Sequence, residues 1–127
     1  MGDFFRKSCR DTDFIARYGG DEFTVLLPQT GAHGAACAAE KLRRKVNEHL
    51  FTLTAGQLVS LTISIGIVTM PGDGQMDASE IIACADDALY CSKHIGGNAV
   101  FAADRRGGGS RICQPDESTL THYACIA

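Results

Sequence analysis

The stretch Arg17-Tyr18-Gly19-Gly20-Asp21-Glu22-Phe23 sets the reading of the whole chain. Upstream of its tip runs Asp13-Phe14-Ile15-Ala16-Arg17-Tyr18, and downstream Asp21-Glu22-Phe23-Thr24-Val25-Leu26-Leu27. Both runs are rich in β-branched, aromatic and aliphatic residues, so each predicts a strand. A Gly-Gly link between them predicts a tight hairpin, because primed turns need a positive φ that glycine adopts without strain. Two residues without side chains followed by two carboxylates make an unusual tip. Bare backbone lets a bulky anion approach, and neighbouring acids can hold the cation that anion brings. Carboxylates alone would repel a phosphate, so the pair implies Mg²⁺ (or Mn²⁺) lying between. Gly-Gly-Asp by itself reads more simply as a solvated hairpin tip; the longer string tells against that.

At 127 residues the chain is at most one domain, and 45% hydrophobic with 21% charged residues is enough for a packed core. A net charge of −3 argues against a nucleic-acid-binding surface, which would carry a basic stripe. A phosphate site here must use local cations and metal instead of a global field. No apolar run reaches membrane-spanning length and no signal peptide opens the chain, so no membrane contact and a cytoplasmic location are expected. The six cysteines (9, 37, 84, 91, 113, 125) form no Cys-x-x-Cys and have no zinc spacing to the histidines at 33, 49, 94 and 122. Reduced thiols are expected, with Cys37, Cys84 and Cys91 as small packed residues of Ala-rich helices and no role for Cys113 or Cys125.

In chain order, residues 1–9 read as one or two helical turns, too short to stand alone. After the hairpin, Pro28-Gln29-Thr30-Gly31 closes the second strand and offers Thr30 as a helix cap. A helix is expected from Ala32 to Leu50, with Ala35, Ala39, Leu42 and Val46 on one face. Leu58 to Thr69 reads as a buried strand, Leu61, Ile63, Ile65 and Ile67 pointing one way. A second helix is expected from Ala78 to Ile95, opened by an Asp77/Glu80 capping box, with Ser79 as an alternative cap, and ended by Gly96-Gly97. Its apolar stripe is Ile81, Ile82, Ala85, Ala88 and Leu89. Asn98 to Ala102 reads as a short last strand. From residue 104 the composition shifts to a Gly-rich linker and a tail without periodicity, expected to be disordered, which divides the chain into a domain at 1–103 and a tail at 104–127. The order of elements predicts an α/β (α+β) sandwich, helices packed on a mainly antiparallel sheet.

Arg-Tyr-Gly-Gly-Asp-Glu-Phe followed by Leu26-Leu27-Pro28 resembles the signature of the GGDEF-domain diguanylate cyclases, which condense two GTP into cyclic di-GMP and pyrophosphate. Three more motifs resemble that family in the same order. Thr62-Ile63-Ser64-Ile65-Gly66-Ile67 is similar to the strand between its late helices. Ala85-Asp86-Asp87-Ala88-Leu89-Tyr90, with Lys93 three residues on, is similar to its last helix. Arg10-x-x-Asp13 is similar to its inhibitory product site. The resemblance runs from about Arg10 to Phe101 and implies a nucleotide-cyclase-like (ferredoxin-like) domain.

The resemblance implies roles. Gly19 and Gly20 admit the nucleotide, and Asp21 holds the metal and helps deprotonate the attacking 3′-hydroxyl. Glu22 supports the metal, Lys93 meets the phosphates, and two domains meet as a homodimer. Arg10, Asp13 and Lys41 would bind cyclic di-GMP. Plainer readings stand beside these: a salt bridge leading into a strand for Arg10 and Asp13, a solvated helix lysine for Lys41, and a lysine favoured by the helix dipole for Lys93. The chain departs from the family in two ways. The family's opening strand, with a metal-binding aspartate, and the helices after it have no counterpart before Arg10. Their loss is expected to expose Ile and Leu side chains and unpaired backbone. Gly2-Asp3 resembles a Gly-Asp pair of the family but lies too near Arg10 for a role to be carried over. Gly97 stands where the family has an arginine. A truncated, weakly active or inactive cyclase is therefore expected. The alternatives are a catalytically dead cyclic di-GMP-binding module and a fragment that folds poorly.

Overall fold

The computed structural model describes residues 1–71, 76–103, 109–111 and 121–126. Two helices frame the domain, and each forms where the apolar period demands it. In α2 (Ala32–Glu48) the residues Ala35, Ala39, Leu42 and Val46 are all buried along one face. Its N-cap is Gly31, one residue later than expected: Thr30 is buried and its hydroxyl donates to the Pro28 carbonyl instead, 3.0 Å away. The helix stops at Glu48, short of Leu50. α3 (Ala78–His94) opens on the expected capping box, Glu80 N–H to Asp77 and Asp77 N–H to Glu80, both 2.9 Å. It closes where Gly96 and Gly97 take positive φ, 109° and 77°.

Between these helices lies the strand β5 (Ile65–Pro71), both of whose faces are covered. Ile65 and Ile67, each 1% exposed, pack with Ala35, Ala36 and Ala39 of α2. Val68 packs with Ala85 of α3 on the opposite face. Gly66 explains how closely α3 approaches, since a Cβ there would lie 2.5 Å from the Leu89 backbone nitrogen and against the Ala85 carbonyl. β6 (Val100–Ala103) repeats the pattern, Val100 on the α2 side and Phe101 with Ala88 of α3.

The strand expected over Leu58–Thr69 is broken. Leu58–Ser60 (β4) pairs with Leu50–Thr52 (β3) in a separate two-stranded sheet, and residues 61–64 join no ladder before β5 begins. Leu61 is exposed. Apolar alternation records which way side chains point, and it continues here across backbone that pairs with nothing.

β1 (Phe14–Gly19) and β2 (Glu22–Leu26) form the expected hairpin. With β7 (Gly109–Arg111) and β8 (Thr121–Ile126), the sheet runs β1-β2-β8-β5-β6-β7, antiparallel throughout except for the parallel β5–β6 pair. The α/β sandwich with a mainly antiparallel sheet is thus the observed fold. The strands β7 and β8 lie in the stretch expected as linker and loose tail. β8 sits between β2 and β5, with Val25 opposite Ile126 and Val68 opposite Cys125. It gives a ladder partner to Val25 and Leu26 of β2 and to β5, so the backbone expected to be unpaired there is paired, while the Leu26 side chain is exposed as expected. α1 (Gly2–Ser8) is stable because it is docked: Phe5 is buried with Leu42 and Val46, its ring edge-on to Phe23 at 5.0 Å.

Candidate nucleotide and metal site

The hairpin tip is shifted by one residue from its expected place. Gly19 pairs with Glu22, so the two turn residues are Gly20 and Asp21. Of these only Gly20 has positive φ, 49°, which is the demand of a II′ turn. The Arg17 guanidinium donates to the Gly20 carbonyl from Nε at 2.9 Å and Nη2 at 2.5 Å. A Cβ placed on Gly19 or Gly20 would meet no atom within 4 Å, so the tip is open to an approaching ligand.

Beside the tip is a cavity of about 350 Å³. Asp21, Glu22 and Lys93 line it together with the hydroxyl-bearing Thr62 and Ser64 and apolar side chains such as Phe23 and Leu89. Lys93, in the last turn of α3, reaches across to Glu22 with Nζ 3.2 Å from Oε1. The fold therefore brings together three of the charged groups picked out in the sequence. Two carboxylates on one cavity fit Mg²⁺, which takes one or two protein carboxylates and completes its octahedron with water and substrate phosphate. Among the described residues no three or more His, Cys, Asp or Glu are grouped as they would be to hold a metal ion.

Of the second predicted set, Arg10 and Asp13 share one turn and Lys41 lies apart on α2. Arg10 and Asp13 close a tight turn: the Arg10 N–H donates to Asp13 Oδ2 at 2.8 Å and the Asp13 N–H to the Arg10 carbonyl at 3.0 Å. Asp13 thus holds backbone and not the Arg10 side chain. Among the described residues the exposed Arg10 guanidinium has no hydrogen bond or ion pair, and none joins Lys41 to this turn. Burial pushes the neighbouring Cys9 thiol up, Asp13 adds to that, and the Lys45 ammonium opposes it.

The model of the diguanylate cyclase GGDEF domain matches residues 1–99. The chain belongs to the GGDEF family. Diguanylate cyclase A of Treponema denticola is 43% identical over 95 residues, covering 74% of this chain and 25% of that protein. The response regulator PleD of Caulobacter vibrioides is 37% identical over 92 residues, 72% of this chain and 20% of its own length. The chain thus spans a quarter or less of these two relatives. Among solved structures, the GGDEF domain of DgcB from Caulobacter crescentus in complex with c-di-GMP superposes with a TM-score of 0.69 at 29% identity, over 79% of this chain and 58% of that one. The active GGEEF domain of a Vibrio cholerae diguanylate cyclase gives 0.67 at 28%, over 81% and 64%. The match begins at residue 1, so it takes in α1, ahead of the start near Arg10 that the motifs suggested.

Two features of this GGDEF domain, at Arg17 and at Arg43, were not legible in the sequence. Arg17 belonged to the motif, but nothing in the spacing says that it would clasp Gly20. Arg43 grips Glu40 at 2.8 and 2.7 Å and reaches Asn98 Oδ1 at 2.6 Å, tying α2 to the loop that ends α3. That bond holds the Glu40 carboxyl below its ordinary range. Gly97 lies beyond the end of α3 at φ 77°, so a side chain there would be strained and would not continue the helical face of Lys93. Cys37 is exposed, contrary to expectation, with Sγ 3.5 Å from His33 Nε2, because it falls on the outer face of α2.

Proposed function

We propose that this chain is a diguanylate cyclase domain that condenses two GTP into cyclic di-GMP and pyrophosphate, acting in the cytoplasm. The observation that carries the reading is the convergence of Asp21, Glu22 and Lys93 on one cavity beside an open pair of glycines. On this reading Gly19 and Gly20 admit the nucleotide, Asp21 and Glu22 hold Mg²⁺ (or Mn²⁺), and Lys93 meets the phosphates. The bound ion would screen phosphate charge and acidify the attacking hydroxyl. The 3′-oxygen of one GTP bonds to the α-phosphorus of the other, its proton passing towards Asp21, and the α–β anhydride breaks to release pyrophosphate. A second exchange closes the ring. Each domain holds one GTP, so the reaction requires a homodimer. The test is incubation with GTP and Mg²⁺: cyclic di-GMP and pyrophosphate are expected from the wild type, with rates at least about a hundredfold lower for Asp21→Ala. Equal rates from the two would refute the assignment.

The exposed Arg10 guanidinium favours a second reading, a module that binds cyclic di-GMP at the Arg10–Asp13 turn, with Lys41 as a further cation. The planar fork of arginine suits a phosphate or a guanine edge. Calorimetry with cyclic di-GMP should give binding that Arg10→Ala abolishes.

A further inference from the structure

The peptide between Gly20 and Asp21 is the middle unit of the hairpin turn, and its carbonyl is held by both Nε and Nη2 of Arg17. A peptide unit is rigid and trans, so fixing this carbonyl sends the Asp21 N–H to the opposite side. Rotating that one plane by about half a turn interconverts the two primed turns. The II′ form needs positive φ at Gly20 alone, whereas the I′ form needs it at Asp21 as well, where a Cβ makes it unfavourable. The ladder shifts register between Arg17 and Gly19, which re-aims the strand where the guanidinium must turn back towards the tip. Among the described residues no other side chain hydrogen-bonds this carbonyl.

We infer that Arg17 is a positioning residue: by clasping the Gly20 carbonyl it reinforces the preference for the II′ form that the Asp21 Cβ gives, and so keeps the Asp21 carboxylate at the cavity shared with Glu22 and Lys93. The inference rests on the proposed metal role of Asp21. Arginine is required because its planar fork delivers two donors to one oxygen from a fixed geometry, while lysine offers a single mobile ammonium.

The test is a Mn²⁺ titration of the full chain with a non-hydrolysable GTP analogue, free Mn²⁺ being followed by electron paramagnetic resonance. Amide NMR spectra of Gly20 and Asp21 are recorded alongside. In Arg17→Met the Mn²⁺ affinity should fall about tenfold or more with the unfolding temperature unchanged, and a second set of Asp21 amide signals should appear. Arg17→Lys, which keeps the charge and loses the fork, should lie between Arg17→Met and wild type. It also serves as the reporting variant should Arg17→Met fail to fold. Affinity within twofold of wild type in both variants, or a single unchanged Asp21 signal, overturns the role of Arg17 and leaves the metal assignment standing. Asp21→Ala separates the two ideas, because unchanged Mn²⁺ affinity in that variant overturns the metal assignment and this inference with it.

Discussion

The centre of the domain and the hairpin tip are held together by different forces. At the centre, β5 is pressed between α2 and α3 so tightly that Gly66 has no room for a methyl group. At the tip, a Cβ on Gly19 or Gly20 would touch nothing, and the conformation rests on Arg17 and on the exposed Glu22–Lys93 pair. Shape determines the first region and a few polar contacts the second. On the proposed reading the tip admits a large anion, and a site of that kind cannot be close-packed beforehand, so the stabilising work is done away from it.

If that contrast is right, changes at the centre should cost stability and changes at the tip should cost binding. The largest effect on stability is expected from Gly66→Val, whose side chain meets the α3 backbone. Chemical denaturation should show a loss of roughly 3 kcal/mol. A tolerated valine would mean that α3 can move and that the centre is not rigid. Ser92→Ala comes next. The buried Ser92 hydroxyl donates to the Ala99 carbonyl at 2.7 Å, and that oxygen keeps a second partner in the Ile65 N–H at 2.9 Å. The same measurement should therefore fall by only about 1 kcal/mol. Lys93→Ala should change stability by no more than about 0.5 kcal/mol, since its ion pair with Glu22 is more than one-third exposed on both sides. Steady-state kinetics should nonetheless show KM for GTP rising about tenfold or more. The smallest effect concerns pH. Arg43 lowers the Glu40 pKa in the folded protein, so the bond contributes above the ordinary value of 4.5 and is lost as pH falls through the lowered value. An unfolding midpoint that declines with acid through that window, and declines less in Glu40→Gln, is the expected outcome.

Legibility divides along the same line. The helices were readable because their burial follows the helical period and their ends carry caps, as at Asp77–Glu80 and Gly96–Gly97. The hairpin was readable from two strand-forming runs around glycine, although its turn is Gly20-Asp21 and not Gly19-Gly20. One positive φ was enough, and sequence does not say which glycine supplies it. β8 was hidden because Thr121–Ile126 has no apolar alternation, and its place depends on the needs of β2 and β5. The Asp21, Glu22 and Lys93 set was legible as residue types. The Glu22–Lys93 contact was not, since it joins residues 71 positions apart.

That last strand bears on the order of events during synthesis. Residues 25 and 26 meet partners at 126 and 125, about one hundred residues later. On an emerging chain the hairpin and the two helices can form early, but the gap between β2 and β5 stays open until Thr121–Ile126 has been made. Completion of this sheet should therefore await one late, long-range closure, which makes topology and not local propensity the step that sets its pace.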